Sequence, residues 1–240
     1  MKLNWSTEMK WQHIQDEFTA HWVGYSSEAP SMNENPDWVV CVLHGLGAQG
    51  VEFKDMIEPL AQQWKCSTQW HILQAPDRPV TRQGGAVMPA WYDVYDLSLD
   101  SKQDTQGIHQ AADQLHQWCH QQVQAGIPSK KIILMGFSQG GALALYSALT
   151  LGLPLGGVVA LSTYLPLKEE LEAMSIEQTA PICLMHGTQD TVLTPEFAET
   201  TQAYLTQSYP GALDVFWYPM AHTVCMAQLI DLKDWLLRLH

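Results

Sequence analysis

From Trp38 onward the chain alternates between short, continuously apolar runs and longer amphipathic stretches, and this rhythm restricts the fold more than any other feature. The apolar runs are Trp38–Leu43, Trp70–Gln74, Lys131–Met135, Gly157–Leu161, Ile182–Met185 and Val215–Tyr218. Each is rich in strand formers and apolar on both faces, as parallel strands covered by helices on either side must be. Between most of them lie helical patterns. Residues 51–64 put Phe53, Met56, Ile57, Leu60 and Trp64 on one stripe. Residues 107–124 do the same with Ile108, Ala111, Ala112, Leu115, Trp118, Cys119 and Val123, and 195–206 and 224–239 add two more helices. Strand and helix in alternation predict an α/β fold, a mostly parallel central sheet with helices on both faces.

Composition agrees with one such domain of 240 residues, 46% hydrophobic and only 15% charged. Twelve Lys and Arg against 25 Asp and Glu leave a net charge of −13. Such a surface repels phosphate backbones and anionic headgroups, which argues against nucleic acid and acidic membranes as partners. The five cysteines are odd in number and form no C-x-x-C pair, so free thiols in a reducing compartment are expected. Residues 1–10 lack an apolar signal core, and no run approaches the ~18 residues of a membrane span. The expectation is a cytoplasmic protein without stable membrane insertion.

Two regions depart from the rhythm. Residues 1–37 read as an N-terminal extension packed on the domain at 38–240, with a short strand around Phe18–Tyr25 and a loop over Ser26–Asp37. Trp5 and Trp11 are available to cover a domain edge. The Pro- and Gly-rich segment Ala75–Gly107 carries no clear strand, and long loops inside compact domains are usually functional or mobile.

The chemistry begins at Gly136-Phe137-Ser138-Gln139-Gly140, between the run Lys131–Met135 and the apolar helical stretch Ala142–Leu149. G-x-S-x-G on a strand-to-helix turn exposes the serine hydroxyl at the C-terminal edge of the sheet, beside unpaired helix N–H groups. Outside that context the pentapeptide is an ordinary Gly-rich turn. A nucleophilic serine needs a base, and the base an orienter. Asp190 follows the run Ile182–Met185, and His222 follows Val215–Tyr218, so both belong to the edge that carries Ser138. Singly, an Asp after a strand is a turn former and a His before a helix a cap; together they stand in the order Ser, Asp, His of α/β-hydrolases. The loop His44-Gly45-Leu46-Gly47 follows the first apolar run, and the Leu46 and Gln139 N–H groups are the candidate oxyanion donors. His44 reads as a brace for that loop.

HGLGAQG, PDRPVTRQGGAVMPAWYD, GFSQGG, HGTQD and YPMAH occur in an order that resembles the acyl-protein thioesterase/carboxylesterase family, also called the phospholipase/carboxylesterase family of α/β-hydrolases. The similarity runs from about Trp38 to the C-terminus. By position it implies Ser138, Asp190 and His222 as the triad, Leu46 and Gln139 as the oxyanion hole, and Met88 and Trp91 as apolar surface for an acyl chain, with Trp91 as a plain core residue the alternative. Ala48-Gln49 and Gln83 depart from the family's usual residues. The expected activity is carboxylesterase on short- to medium-chain acyl esters, with acyl-protein thioesterase or lysophospholipase as the alternative and a non-catalytic binding protein as the competing class. No cofactor is required, the substrate is a small acyl ester or thioester, and a homodimer is admitted by the resemblance alone. His109, Asp113, His116 and His120 share one stripe of the 107–124 helix, a spacing open to a metal. The stripe lies about 110° from the apolar face, so a solvated flank is the simpler reading and no metal is expected.

Overall fold

The computed structural model describes residues 9–15, 20–26, 35–64, 66–99 and 101–239. Among these residues ten strands alternate with six α-helices: β1 Lys10–Gln15, β2 Ala20–Tyr25, β3 Trp38–Leu43, α1 Lys54–Gln63, β4 Thr68–Leu73, β5 Asp77–Val80, β6 Ala86–Pro89, α2 Thr105–Gln124, β7 Ile132–Phe137, α3 Gln139–Thr150, β8 Gly157–Leu161, α4 Lys168–Glu172, β9 Ile182–Gly187, α5 Pro195–Ser208, β10 Leu213–Tyr218 and α6 Met226–Leu237. Eight strands form one sheet in the order β1-β2-β4-β3-β7-β8-β9-β10. From β4 to β10 neighbours are parallel, whereas β2 on β4 and β1 on β2 are antiparallel. This is an α/β-hydrolase-like fold with a mixed, mostly parallel sheet flanked by helices.

The strands sort their side chains by pleat, as period-two geometry requires. Val39, Cys41 and Leu43 of β3 join one core with Ile132 and Leu134 of β7, Ile108 and Leu115 of α2, and Leu143 and Leu145 of α3. Trp38, Val40 and Val42 join the other, with Ile133, Met135, Ile57 of α1 and Trp235 of α6. From β3 the chain runs to β4 on one side and then, by way of α2, crosses to β7 on the other. The C-terminal ends of β3 and β7 therefore flank a switch point, the usual place for a ligand crevice in an open α/β sheet.

Three details differ from the sequence reading. Residues 75–107 contain a hairpin, β5–β6, which forms a separate two-stranded sheet with Asp77 opposite Pro89 and Val80 opposite Ala86. Its strands are largely exposed and carry Pro79 and Pro89, so neither apolar alternation nor β propensity marks them. The strand near Phe18–Tyr25 is present as β2, but its partner β1, with Gln12 and His13 exposed, carries no apolar run. The short helix α4 was also not expected. Trp5, Phe18 and most of Ser26–Asp37 lie outside the described residues. Among the described residues no helix is long and apolar enough to cross a membrane.

Candidate active site

β7 delivers Ser138 to its C-terminal end, where the backbone turns through φ 53° and ψ −121° before α3 begins. A positive φ is unfavourable for serine, and the turn is held from three sides. Ser138 N–H donates to the Leu161 carbonyl at 2.9 Å, and the Ser138 carbonyl accepts from Ala142 N–H at 3.0 Å and from Thr163 Oγ1 at 2.6 Å. Close packing is possible because Gly140 lacks a side chain. A Cβ there would sit 2.2 Å from the Leu43 carbonyl oxygen, so only glycine lets α3 start against the end of β3.

Asp190 lies in the turn after β9 and is 2% exposed. Its Oδ1 accepts from the Val192 and Leu193 N–H groups, each at 2.9 Å, which leaves Oδ2 for His222 Nδ1 at 2.7 Å. His222 lies between β10 and α6, and its Nε2 is 2.9 Å from Ser138 Oγ. Asp190 accepts only, so Nδ1 carries the proton and Nε2 presents a lone pair to the serine hydroxyl. The Phe137 ring, 4.8 Å from the His222 ring centroid, backs the imidazole. The structure thus brings Ser138, Asp190 and His222 into one hydrogen-bonded chain, a geometry in which the serine proton can pass to His222 while the buried carboxylate balances the imidazolium.

Leu46 and Gln139 border the same point. A Cβ on Gly45 would lie 3.3 Å from Ser138 Cβ, so this loop runs directly over Ser138. Gly47 N–H donates to the Pro89 carbonyl and Ala48 N–H to the Gly45 carbonyl. Among the described residues the Leu46 and Gln139 N–H groups have no backbone acceptor. His44 is buried and braces the loop. Ala75 N–H can only donate, so His44 Nε2 accepts from it at 3.0 Å and His44 Nδ1–H donates to the Gly45 carbonyl at 2.7 Å. Burial holds the His44 pKa below its ordinary value, which keeps this neutral tautomer.

The cavity opening onto Ser138 and His222 has a volume of about 530 Å³, walled by the 45–56 segment on one side and 222–229 on the other. Met88 and Trp91 are not brought to it. Trp91 is 6% exposed in the core, with Nε1–H donating to the His44 carbonyl at 2.8 Å. Met88 is half-buried, packed on the core near Gly47. Trp91 therefore supports the 44–47 loop from behind, because an indole buried at this depth needs an acceptor and that carbonyl supplies one.

Sequence reasoning missed the Gln139 side chain. Its Oε1 accepts from Trp91 N–H at 3.0 Å and its Nε2 donates to the Tyr92 carbonyl at 2.7 Å. It also missed His186, buried, with Nε2–H donating to the Leu193 carbonyl at 2.9 Å and so steadying the turn that grips Asp190. Burial lowers its pKa. Neither role leaves a local sequence signal, since both partners come from other segments. The histidine stripe of α2 is dispersed: His109 Nε2 pairs with Glu170 at 2.8 Å, and His116 Nε2 meets the Ser147 carbonyl at 3.0 Å. Among the described residues no three His, Cys, Asp or Glu side chains converge as a metal site.

The phospholipase/carboxylesterase family model matches residues 27–240. Acyl-protein thioesterase 1 of Cryptococcus neoformans is 32% identical over 216 residues, covering 82% of this chain and 90% of that protein. Acyl-protein thioesterase 1 of Neurospora crassa is 30% identical over 215 residues, covering 82% and 84%. Among solved structures, Arabidopsis thaliana SOBER1 aligns with a TM-score of 0.75 and 27% identity over 84% of this chain and 98% of that one. Zea mays acyl-protein thioesterase 2 aligns with a TM-score of 0.76 and 24% identity over 92% and 99%, a likeness of fold.

Proposed function

We propose, from the premise that this chain belongs to the phospholipase/carboxylesterase family of esterase- and thioesterase-type hydrolases, that it is a serine hydrolase of acyl thioesters and esters with Ser138, His222 and Asp190 as its triad. The observation that carries the reading is the chain of hydrogen bonds from Asp190 to His222 Nδ1 at 2.7 Å and from His222 Nε2 to Ser138 Oγ at 2.9 Å. Acyl-protein thioesterase activity now stands ahead of the short-chain carboxylesterase that the sequence put first. The support is that the curated relatives cited above carry the thioesterase name.

The reaction runs in two steps. His222 Nε2 takes the Ser138 proton as Oγ attacks the acyl carbonyl, and the Leu46 and Gln139 N–H groups receive the developing oxyanion. The imidazolium then gives its proton to the departing thiolate or alkoxide, leaving the acyl group on Ser138. Water, deprotonated by His222, attacks this ester and releases the acid with Ser138 restored.

Ser138→Ala is expected to lower kcat on an acyl thioester by several orders of magnitude, ~10⁶ by comparison with serine proteases. A fluorophosphonate probe should label the native chain stoichiometrically at Ser138 and leave the variant unlabelled. No labelling of a folded native chain would instead favour a binding protein on a hydrolase fold. A chain-length series of paired acyl esters and thioesters ranks the two activities by kcat/KM.

A further inference from the structure

The cavity at Ser138 has a charge and a surface that the hydrolase reading does not use. Its charged lining residues other than His222 are both acids, Glu52 and Asp55. Both are exposed, and neither forms a salt bridge with another described residue. Among the described residues Glu52 Oε2 accepts only a 3.4 Å contact from Gln49 N–H. The cation that stands between them in sequence is engaged elsewhere. Lys54 Nζ lies 3.4 Å from the centre of the Trp22 ring and 5.0 Å from that of Trp11, on the side of the N-terminal hairpin. The cavity is also aromatic. Phe53 and Phe137 line the same cavity with ring centroids 6.4 Å apart and planes tilted by 56°. Aromatic faces and uncompensated carboxylates attract an organic cation by the ring quadrupole and by charge.

Which half of a substrate meets these groups follows from the proton path. The departing atom takes its proton from His222 Nε2, so the leaving group lies where His222, Thr223 and Val224 form a wall, and that wall belongs to this cavity. We propose that the cavity receives a cationic leaving group, an alcohol or thiol bearing a quaternary ammonium or a protonated amine, and that Glu52 and Asp55 select it over an anionic one. The proposal rests on the serine-hydrolase reading above and names the substrate chemistry of that site.

Three esters of one acyl group make the test: the choline ester, the neohexyl ester in which carbon replaces the nitrogen, and the anionic isethionate ester. For the native chain at low salt, kcat/KM for choline should exceed that for isethionate by about tenfold or more, the scale expected of two carboxylates close to a bound charge. In the Glu52→Gln/Asp55→Asn double variant, which lacks both charges, and in the native chain at 1 M salt, where a charge acts over only ~3 Å, the ratio should fall to about two. Turnover of the neohexyl ester with a choline-to-isethionate ratio near one overturns the charge selection and leaves the hydrolase standing. A high ratio that survives in the double variant also overturns it. Failure of a folded native chain to turn over any ester or acyl thioester removes both readings. The source of the cation is separated with short S-acylated peptides bearing Lys or Glu beside the cysteine. A Lys preference that the double variant loses assigns a cationic peptide, and a choline preference without it assigns a small ammonium alcohol.

Discussion

Gln139 serves the site through two sets of atoms. Its N–H stands beside Ser138, while its buried amide pairs with Trp91 N–H and the Tyr92 carbonyl and ties the segment after β6 to the turn at Ser138. Gln139→Ala keeps the first and strands two buried backbone groups, each worth ~1–3 kcal/mol when unpaired. The expected loss is about 2–6 kcal/mol, read as a lower urea midpoint with an unchanged slope. The thiols make a second prediction at this scale. Cys41, Cys119 and Cys183 are buried, and burial pushes their pKa values up, that of Cys119 to about 12. Since the thiolate is the reactive form, iodoacetamide should modify half-buried Cys66 and Cys225 in the native chain and reach the other three only on unfolding, as peptide mass mapping would show. The shared position of Ser138, Asp190 and His222 was legible because each follows an apolar run that forms a parallel strand, β7, β9 or β10, and parallel strands put those ends on one edge. The Gln139 amide was not legible, because its partners are backbone atoms of a segment whose path only packing decides.

Among the elements, the pairing of the β1–β2 hairpin with the rest of the molecule has a direct bearing on the site. Trp11 Nε1–H donates to Glu58 Oε1 at 2.8 Å, and Lys54 lies against the Trp11 and Trp22 rings, so the hairpin grips the start of α1. Glu52, Phe53, Asp55 and Met56, on either side of Lys54, line the cavity. Burial lowers the Lys54 pKa, in keeping with an ammonium held between rings. Lys54→Ala is expected to cost about 1 kcal/mol of stability and to change the tryptophan fluorescence, since cation–π contacts at such sites contribute ~0.5–2 kcal/mol. An unaltered melting curve would show that the hairpin does not hold α1 through this residue. The strands β3, β7, β8 and β9 could be read from sequence because burial on both faces demands unbroken apolar runs. The β1 and β5–β6 strands could not, because exposed strands are defined by their partners and not by their own side chains.

For the whole molecule, acid sensitivity follows from three histidines. Burial lowers the pKa values of His44, His116 and His186, so each stays neutral in the native state under conditions where the unfolded chain is protonated. The unfolded state then binds more protons, and stability falls as pH drops below the unfolded value of about 6.5. Each histidine adds at most about 1.4 kcal/mol per pH unit, with the part-exposed His116 contributing least. Urea midpoints measured downward from neutral pH should fall in this window, and replacing His186 with Gln should make the fall shallower. A flat profile between pH of about 7 and 5 would contradict this reading. The division of labour between sequence and tertiary structure has a single physical origin. Hydrophobic periodicity records which side chains leave water, so it determined the alternating elements, the parallel sheet, and the edge where Ser138, Asp190 and His222 stand. It carries no record of which buried group meets which. Only the folded chain decided that Trp91 supports the 44–47 loop from the core, and that the cavity wall is built from 45–56 and 222–229. Segments far apart in sequence become neighbours through the packing of α1 and α6 on one face of the sheet, and the acids that line the cavity at Ser138 are a product of that packing.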